Sequence, residues 1–301
     1  MGRLISAEFR KILTTKLWWG LMIPAFLLAF GWAWGTSALT TELISDALDE
    51  PLIQDTQVPL DEFSWSVIAL SRSINFASIF PMIFGALGLA NELSRKTITT
   101  TFLTAPSRSA VLGAKAITYA LWGMIFGLVI GLGVSLGVLV GSDANLLPGG
   151  AEWFIILLSG VFMCALWTLL GLGVGALIGS PVGTLVLLLI YALIIGPVGE
   201  VVLMATTEWI NLPGVLPNGS ANGMTGSTAS ALLFDQVQTL VLEAGGRVAT
   251  EKEQENFEQV VRVIAGAPGA FAPLISGLVF AAWTAVLVGF GMLRNASRDI
   301  T

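Results

Sequence analysis

The sequence contains no histidine among its 301 residues and a single cysteine, Cys164. The lack of histidine excludes histidine general bases and histidine metal ligands, and one cysteine excludes a disulfide within these residues. Charged residues are also scarce, at 11%, whereas a soluble globular domain has roughly a quarter. Acids outnumber bases and give a formal charge of −6. This balance argues against a nucleic-acid partner.

Motifs for enzymatic chemistry are absent as well. The Gly-x-Gly-Asp signature of intramembrane aspartyl proteases does not occur, and neither does the G-x-x-x-x-G-K-[ST] phosphate loop. The glycine cluster at 171–175 lies inside an apolar run, which is not the setting of a nucleotide loop. We therefore expect a chain that is not an enzyme and that binds no cofactor itself.

What the chain has in abundance is apolar sequence, at 55% with a mean hydropathy of +0.84. A helix needs about 20 apolar residues to cross a hydrocarbon core of roughly 30 Å. Six segments meet this requirement: 17–39, 65–90, 111–141, 153–179, 182–204 and 270–293. The first is too long for a signal-peptide core and lacks a convincing cleavage site, so we expect it to be retained. The predicted fold is an all-α membrane protein with six transmembrane helices.

Lysine and arginine are distributed unevenly between the connections. They concentrate before the first span, between the second and third, and after the sixth. The segment 40–64 contains seven acids and no basic residue, and 142–152 has no basic residue either. The positive-inside rule then places both termini on the cytoplasmic side.

Two further segments lie outside the predicted spans. Within 1–16, the apolar residues Ile5, Phe9, Ile12 and Leu13 fall on one helical face, and the basic residues Arg3, Arg10 and Lys11 lie elsewhere. This pattern predicts a helix along the cytoplasmic lipid surface. The alternative is a basic flank of the first span without structure of its own. The other segment, 207–268, is the longest connection and is predicted to be extracellular. The sixth span and a short cytosolic tail follow at 269–301.

The extracellular segment has a polar part and a helical part. Residues 218–230 are rich in Gly, Ser, Asn and Thr, which predicts a flexible loop. Helices are predicted at 231–243 and 250–264, the second opened by a Thr250-x-x-Glu253 capping box. Its apolar stripe consists of Phe257, Val260, Val261 and Ile264. We expect this stripe to pack on the outer ends of the spans, and a substrate-binding face is the alternative.

Glycines recur at intervals of four in two spans. The third span has Gly133, Gly137 and Gly141, preceded by Gly127 and Gly131, and the fourth has Gly171, Gly175 and Gly179. Such lines allow helix backbones to approach closely. We expect close packing within the bundle, and a dimer seam is the alternative.

Charges inside the spans are few. Arg72 lies in the outer part of the second span and Glu200 near the outer end of the fifth. Interfacial charges, or a direct Arg72–Glu200 pair, account for them better than an ion pathway does. No series of carboxylates or histidines exists to relay protons, which argues against a proton-driven carrier.

The connection between the second and third spans, 91–110, is too long and too patterned for a minimal turn. Ile98, Phe102 and Leu103 would form the apolar stripe of a short helix that ends before Pro106. A solvated connector, whose basic residues only follow the topology rule, is the alternative. The residues by themselves leave both interpretations open.

The same segment resembles the coupling loop of type-2 ATP-binding-cassette exporter permeases. That family has a glutamate at the inner end of the second span, a basic stretch similar to Gly-Thr-Leu, then Pro-Ser-Arg and a lysine that opens the third span. The matching residues here are Glu92, Arg95, Thr97, Ile98, Pro106, Ser107, Arg108 and Lys115, whereas Lys96 stands where the family usually has glycine. The opening Ser6-Ala-Glu8-Phe-Arg-Lys11 and the layout of six spans fit the same pattern.

The resemblance implies a mechanism and partners. Two permeases pair, as a homodimer or with a related chain, in a bacterial plasma membrane. Each seats a cytosolic ATPase on the loop made of Glu92, Arg95, Lys96, Thr97, Ile98, Phe102, Pro106, Ser107 and Arg108. ATP and Mg²⁺ bind to the two ATPases, and their closure is transmitted through this loop to the spans. Lys11 and Arg298 would face lipid or solvent and take no part in coupling.

The expected function is export of a hydrophobic or amphipathic compound, such as a drug, a lipid or a peptide. An ion-coupled secondary carrier that works without an ATPase is one alternative. A membrane subunit that anchors or regulates another protein, without transporting anything, is the other.

Overall fold

The structure, a computed structural model, describes residues 1–50, 60–98, 102, 107–207, 211–243 and 251–297. This part of the chain is almost entirely helical and contains no strand. Six of its helical segments are long and apolar enough to cross a membrane, as the hydropathy pattern predicts. The protein is therefore an all-α, multi-pass membrane protein.

The helices are numbered in chain order. Helix α1 is Gly2–Thr14, and the six spans are α2 (Leu17–Asp49), α3 and α4 (Ser66–Ala77 and Ile79–Ser94), α5 (Arg108–Gly141), α6 (Gly150–Ile178), α7 and α8 (Pro181–Ile190 and Gly196–Thr206) and α11 (Pro273–Ser297). Helices α9 (Pro217–Glu243) and α10 (Glu251–Ile264) lie between spans five and six. Short 3₁₀ turns occupy Leu60–Glu62, Ala144–Leu146 and Pro213–Val215.

Two spans are interrupted beside a proline. Span two breaks at Ser78, and Pro81 follows in the first turn of α4, where its ring would clash with the carbonyl of Ala77 in a continuous helix. Span five contains a π-helical turn at Tyr191–Ile195, just before Pro197. Such turns accommodate a helix that cannot complete its regular hydrogen bonds.

Spans two, three and four form the centre of the bundle. At least half of the most apolar window is buried in each of them, against about a fifth in spans one, five and six. The glycine line of span three faces span one, and that of span four faces span two. A Cβ at Gly133, Gly137 or Gly141 would meet the backbone of span one, and one at Gly175 would meet Ala86 of span two. The prediction that the glycine lines pack within the bundle is confirmed.

The prediction of a flexible loop at 218–230 is wrong. These residues belong to α9, which packs against α3, α6 and α11, and most of them are buried. Their small side chains allow the contact: a Cβ at Gly223 would lie 2.9 Å from the Cβ of Ala270, and one at Gly226 would lie 2.7 Å from that of Ala267. Glycine and serine therefore act here as helix-packing residues, as is common in membrane proteins.

Helix α10 departs from its predicted packing as well. Val261 is buried, but Val260 and Ile264 are 55% and 47% exposed, so the predicted apolar stripe does not dock as a whole. Thr250 and the side chain of Phe257 lie outside the described residues. The end of α10 is secured differently. The N–H of Ala267 donates to Arg262 O (2.8 Å) and the N–H of Gly266 to Val263 O (3.0 Å), with Gly266 at a positive φ of 81°.

Candidate functional site

Four charged side chains meet at the end of the bundle that carries α1. The ammonium of Lys115 donates to Glu8 Oε2 at 2.6 Å and to Glu92 Oε1 at 2.8 Å, and Lys11 also donates to Glu92 Oε1. Lys115 is 1% exposed, and Glu8 and Glu92 are 7% exposed. We call these four residues the charge cluster and this end of the bundle the basic end.

Each member of the charge cluster comes from a different position in the fold. Glu8 and Lys11 are three residues apart and share one face of α1, while Glu92 lies in the last turn of α4. Lys115 lies about two turns into α5, a helix that begins where the Ser107 hydroxyl accepts a hydrogen bond from the N–H of Ala110 (3.2 Å). The charge cluster thus connects α1, span two and span three.

Aromatic rings surround the charge cluster on the membrane side. The Lys115 ammonium lies 5.7 Å from the ring centroid of Tyr119, a cation–π distance. Tyr119 packs on Phe84 at 5.1 Å, and Trp122 contacts both Phe9 of α1 (5.7 Å) and Phe84 (5.9 Å). These rings exclude water, which strengthens the ionic contacts and raises the cost of losing one partner.

The charges of the cluster balance at two carboxylates and two ammonium groups. Glu92 Oε2 is buried and accepts no hydrogen bond from the described residues. A cavity of about 400 Å³ opens beside it and is lined by Lys11, Lys16, Arg95 and Thr97 among others. The buried members of the cluster, Glu8, Glu92 and Lys115, carry one excess negative charge, which the exposed cation Lys11 balances.

A left-handed turn follows the charge cluster. Lys96 has a positive φ of 56°; the N–H of Thr97 donates to Glu92 O (3.0 Å) and the N–H of Lys96 donates to Leu93 O (3.2 Å). These two bonds form a helix C-terminal motif that usually has glycine at the left-handed position. The backbone at Lys96 thus adopts the conformation that glycine would favour, although a lysine stands there.

Beyond this turn the chain returns to the bundle. Ile98 is helical and 1% exposed, and Phe102 is helical and partly buried. The guanidinium carbon of Arg108 lies 5.6 Å from the ring centroid of Phe102. The connection is thus anchored at Ile98 and at Arg108, whereas Leu103 and Pro106 lie outside the described residues.

The sequence-predicted residues differ in their positions at this end. Glu92 is in the charge cluster, Ile98 is buried and Ser107 caps α5. The exposed residues are Arg3, Arg10, Arg95, Lys96, Thr97 and Arg108, whereas Phe9 is partly buried on Trp122. The expectation that Lys11 faces only lipid or solvent is wrong, because its ammonium pairs with Glu92. Arg298 lies outside the described residues.

Sequence reasoning did not identify Glu8 as a site residue, nor Lys115 as a buried one. The available signal was the acid at position 8 on the same helical face as Ile12, in a segment otherwise apolar on that side. An acid facing the bundle requires a buried cation, and Lys115 lies within the apolar start of span three.

The predicted Arg72–Glu200 ion pair is not formed. Arg72 donates through Nη2 to Val263 O (2.9 Å) and through Nε to Ile264 O (3.2 Å), and so caps the last carbonyls of α10. Glu200 is 3% exposed, and its Oε1 accepts from Asn218 Nδ2 at 2.8 Å. Both residues line one cavity at the opposite end of the bundle from α1, which we call the acidic end.

Groups of three or more acids or cysteines that could hold a metal ion are not found in the described ranges. No family model matches the sequence, and no curated protein matches it. What points to a function is therefore the geometry of the basic end together with the resemblance in the loop.

Proposed function

We propose that the chain is the permease subunit of an ATP-driven exporter of the type-2 ATP-binding-cassette class. It would move a hydrophobic or amphipathic compound out of the cell, with both termini on the cytoplasmic side of a bacterial plasma membrane. Its partners would be two cytosolic ATPases, which bind ATP and Mg²⁺, and a second permease. The exposed cations at the basic end suit the negatively charged cytoplasmic leaflet.

The charge cluster is the observation that carries this proposal. A subunit driven from outside the membrane needs a rigid connection between the surface that receives the force and the spans that move. Lys115 supplies it, because its two carboxylate partners lie on α1 and on the end of span two while it belongs to span three. A force on the segment 95–107 would move these three helices together.

The segment itself offers a contact surface for an ATPase. Arg95 is exposed at the end of α4, next to the turn at Lys96, and the chain returns to the bundle at Ile98. A cation held on a short anchored segment can pair with an acid of the partner at a small entropic cost. Truncation of one member of a partly desolvated charge pair costs about 2–5 kcal/mol, compared with under about 1 kcal/mol for an exposed pair.

The test co-expresses the tagged chain with the products of the genes that flank its own and asks whether an ATPase is among them. The measurements are ATPase co-purification and ATP hydrolysis stimulated by amphipathic compounds. We expect Arg95→Ala to reduce co-purification by about tenfold or more, with normal membrane insertion. Arg10→Ala is the matched control, because Arg10 is exposed on the same end but on α1. Equal co-purification of the two variants, or no ATPase in the complex, would contradict the proposal.

A further inference from the structure

The cavity at the acidic end has the composition of a ligand site. It has a volume of about 240 Å³ and lies between span two, span five, α9 and the end of α10. Its walls combine the polar residues Arg72, Asn75 and Glu200 with the apolar residues Phe76, Met82 and Trp167. A few polar groups among apolar walls are typical of small-molecule sites.

Glu200 is the charged group of the cavity that remains available to a ligand. Its Oε1 accepts from Asn218 Nδ2 at 2.8 Å, and this is the hydrogen bond that the carboxylate makes with side chains in the described residues. The guanidinium of Arg72 donates two of its five N–H groups to the carbonyls of Val263 and Ile264 and makes no ion pair with the Glu200 carboxylate. The carboxylate therefore lacks a direct cationic partner in the described part of the chain.

Asn75 supplies a second unused group. Its Oδ1 accepts from the hydroxyl of Thr225 at 2.8 Å, which fixes the orientation of the amide. Its Nδ2 is buried and has no acceptor among the described residues. A buried amide N–H without a partner is unfavourable, so an acceptor atom of a ligand would stabilise it.

The charged residues of the cavity, Arg72 and Glu200, lie at a similar depth in the bundle. Arg72 is six residues from the start of α3 at Ser66, and Glu200 is six residues from the end of α8 at Thr206. Six residues correspond to about 9 Å along a helix. The π-helical turn of span five places Ala192 and Leu193 on the same cavity. A ligand in the cavity would lie within the outer half of the spans.

We propose that this cavity binds an amphipathic amine. The ammonium group would donate to Glu200 Oε2, a hydrogen-bond acceptor on the ligand would bind Asn75 Nδ2, and its apolar body would pack on Phe76, Met82 and Trp167. An anionic ligand at this position is disfavoured, because the Glu200 carboxylate would repel it at close range, whereas the Arg72 guanidinium is held at the end of α10 by its bonds to Val263 and Ile264. Binding here requires no ATPase, so this site and the permease proposal can fail independently.

The test uses the purified full chain in nanodiscs of neutral phospholipid, with empty nanodiscs as the blank. The probe is dansylcadaverine, a primary alkylamine joined to a fluorescent aromatic sulfonamide. Two analogues differ only at the end group: N-acetyl-dansylcadaverine is neutral and dansyl-aminohexanoic acid is anionic. We expect saturable fluorescence enhancement with the amine, at an affinity about tenfold or more above that of either analogue.

Three variants test whether the amine probe binds in this cavity. Glu200→Gln keeps an acceptor for Asn218 and removes the charge, so the amine should bind about tenfold or more weakly. Ala192→Phe fills the cavity and should weaken all three probes. Glu152→Gln removes an acid from the same end of the bundle, outside the cavity, and should leave the affinities unchanged.

Several results would overturn the site. One is the absence of saturable binding to the wild-type protein. Another is an amine that binds no better than its acetyl or carboxylate analogue, a comparison that needs no variant. A third is equal amine affinity in the wild type and Glu200→Gln.

Discussion

Lys115 enters the bundle about two turns after the start of α5, and its ammonium meets carboxylates from two other helices. At 1% exposure it has no access to bulk water, so its charge is stabilised by Glu8, Glu92 and the Tyr119 ring. A buried ion pair adds little net stability compared with an apolar replacement of both partners. Removal of the cation alone, however, leaves a carboxylate buried without a partner.

The substitution Lys115→Met tests this dependence. It keeps an unbranched side chain one atom shorter and removes the charge, so Glu8 loses its ionic partner in the described structure. We expect a loss of about 3–5 kcal/mol in the free energy of unfolding. The measurement is reversible unfolding in mixed micelles, followed by circular dichroism and tryptophan fluorescence.

Two further variants make the result specific. Arg10→Met removes an exposed cation from α1 and should change stability by less than about 0.5 kcal/mol. The double variant Glu8→Gln, Lys115→Met should lose less than the sum of the two single variants, because it leaves no unpaired charge on α1. A Lys115→Met protein as stable as Arg10→Met would show that the charge cluster does not hold the helices together.

The sequence did not predict which members of the charge cluster contact each other. Glu92 and Lys115 stand at positions that the family resemblance marks, and the opening that contains Glu8 and Lys11 fits the same pattern. Their contacts could not be assigned, because Glu8 is separated from Lys115 by 107 residues. Hydrophobic periodicity orders residues around one helix, but it does not tell which polar side chain faces which neighbour.

At the scale of helices, the glycine line of span three determines how closely span one approaches. We expect Gly137→Ala to cost about 1–3 kcal/mol, because its Cβ would overlap the backbone carbonyl of Phe30. Gly35→Ala, in span one, is the matched control. A Cβ there meets nothing within 4 Å, so alanine should be neutral or stabilising by up to about 1 kcal/mol.

The free energies of unfolding of the two glycine variants are compared by the same measurement in mixed micelles as for Lys115→Met. Similar stabilities of the Gly137→Ala and Gly35→Ala proteins would mean that spans one and three can separate without penalty. In that case the close contact would not be a determinant of the bundle.

Helix α9 shows where composition misled the prediction of an element. A run rich in Gly, Ser, Asn and Thr is usually a loop in water, where these residues solvate the backbone. Inside a bundle the same residues offer little volume, and a helix satisfies their backbone groups internally. Pro217 at the first position of α9 was a usable signal for a helix start.

For the whole molecule, the charge distribution predicts which end faces the cytoplasm. We expect Ser45→Cys and Ala144→Cys to react with a membrane-impermeant thiol reagent added outside intact cells, since both positions are exposed at the acidic end. Ser107→Cys, exposed at the basic end, should react only after the membrane is permeabilised. The background is Cys164→Ala, which removes the buried native thiol. Labelling of position 107 in intact cells would reverse the proposed orientation.

The number and order of the spans followed from the lengths of the apolar runs, since a bilayer core admits only continuous helices of sufficient length. The residues at which the helices end were predicted less accurately. Span one continues to Asp49 rather than stopping near residue 39, because 40–49 contains neither glycine nor proline. The π-helical turn of span five depends on packing around Pro197, which a hydropathy profile does not contain.

The charge cluster also sets an order of events during biosynthesis. Glu8 leaves the ribosome 107 residues before Lys115, an interval of roughly 5–20 s at typical rates of translation. Until span three is inserted, α1 has no buried cation to receive Glu8 and stays at the surface of the nascent chain. Docking of the N-terminal helix therefore follows insertion of the first three spans. The first helix to be synthesised thus reaches its final position only after the four helices that follow it, α2 to α5.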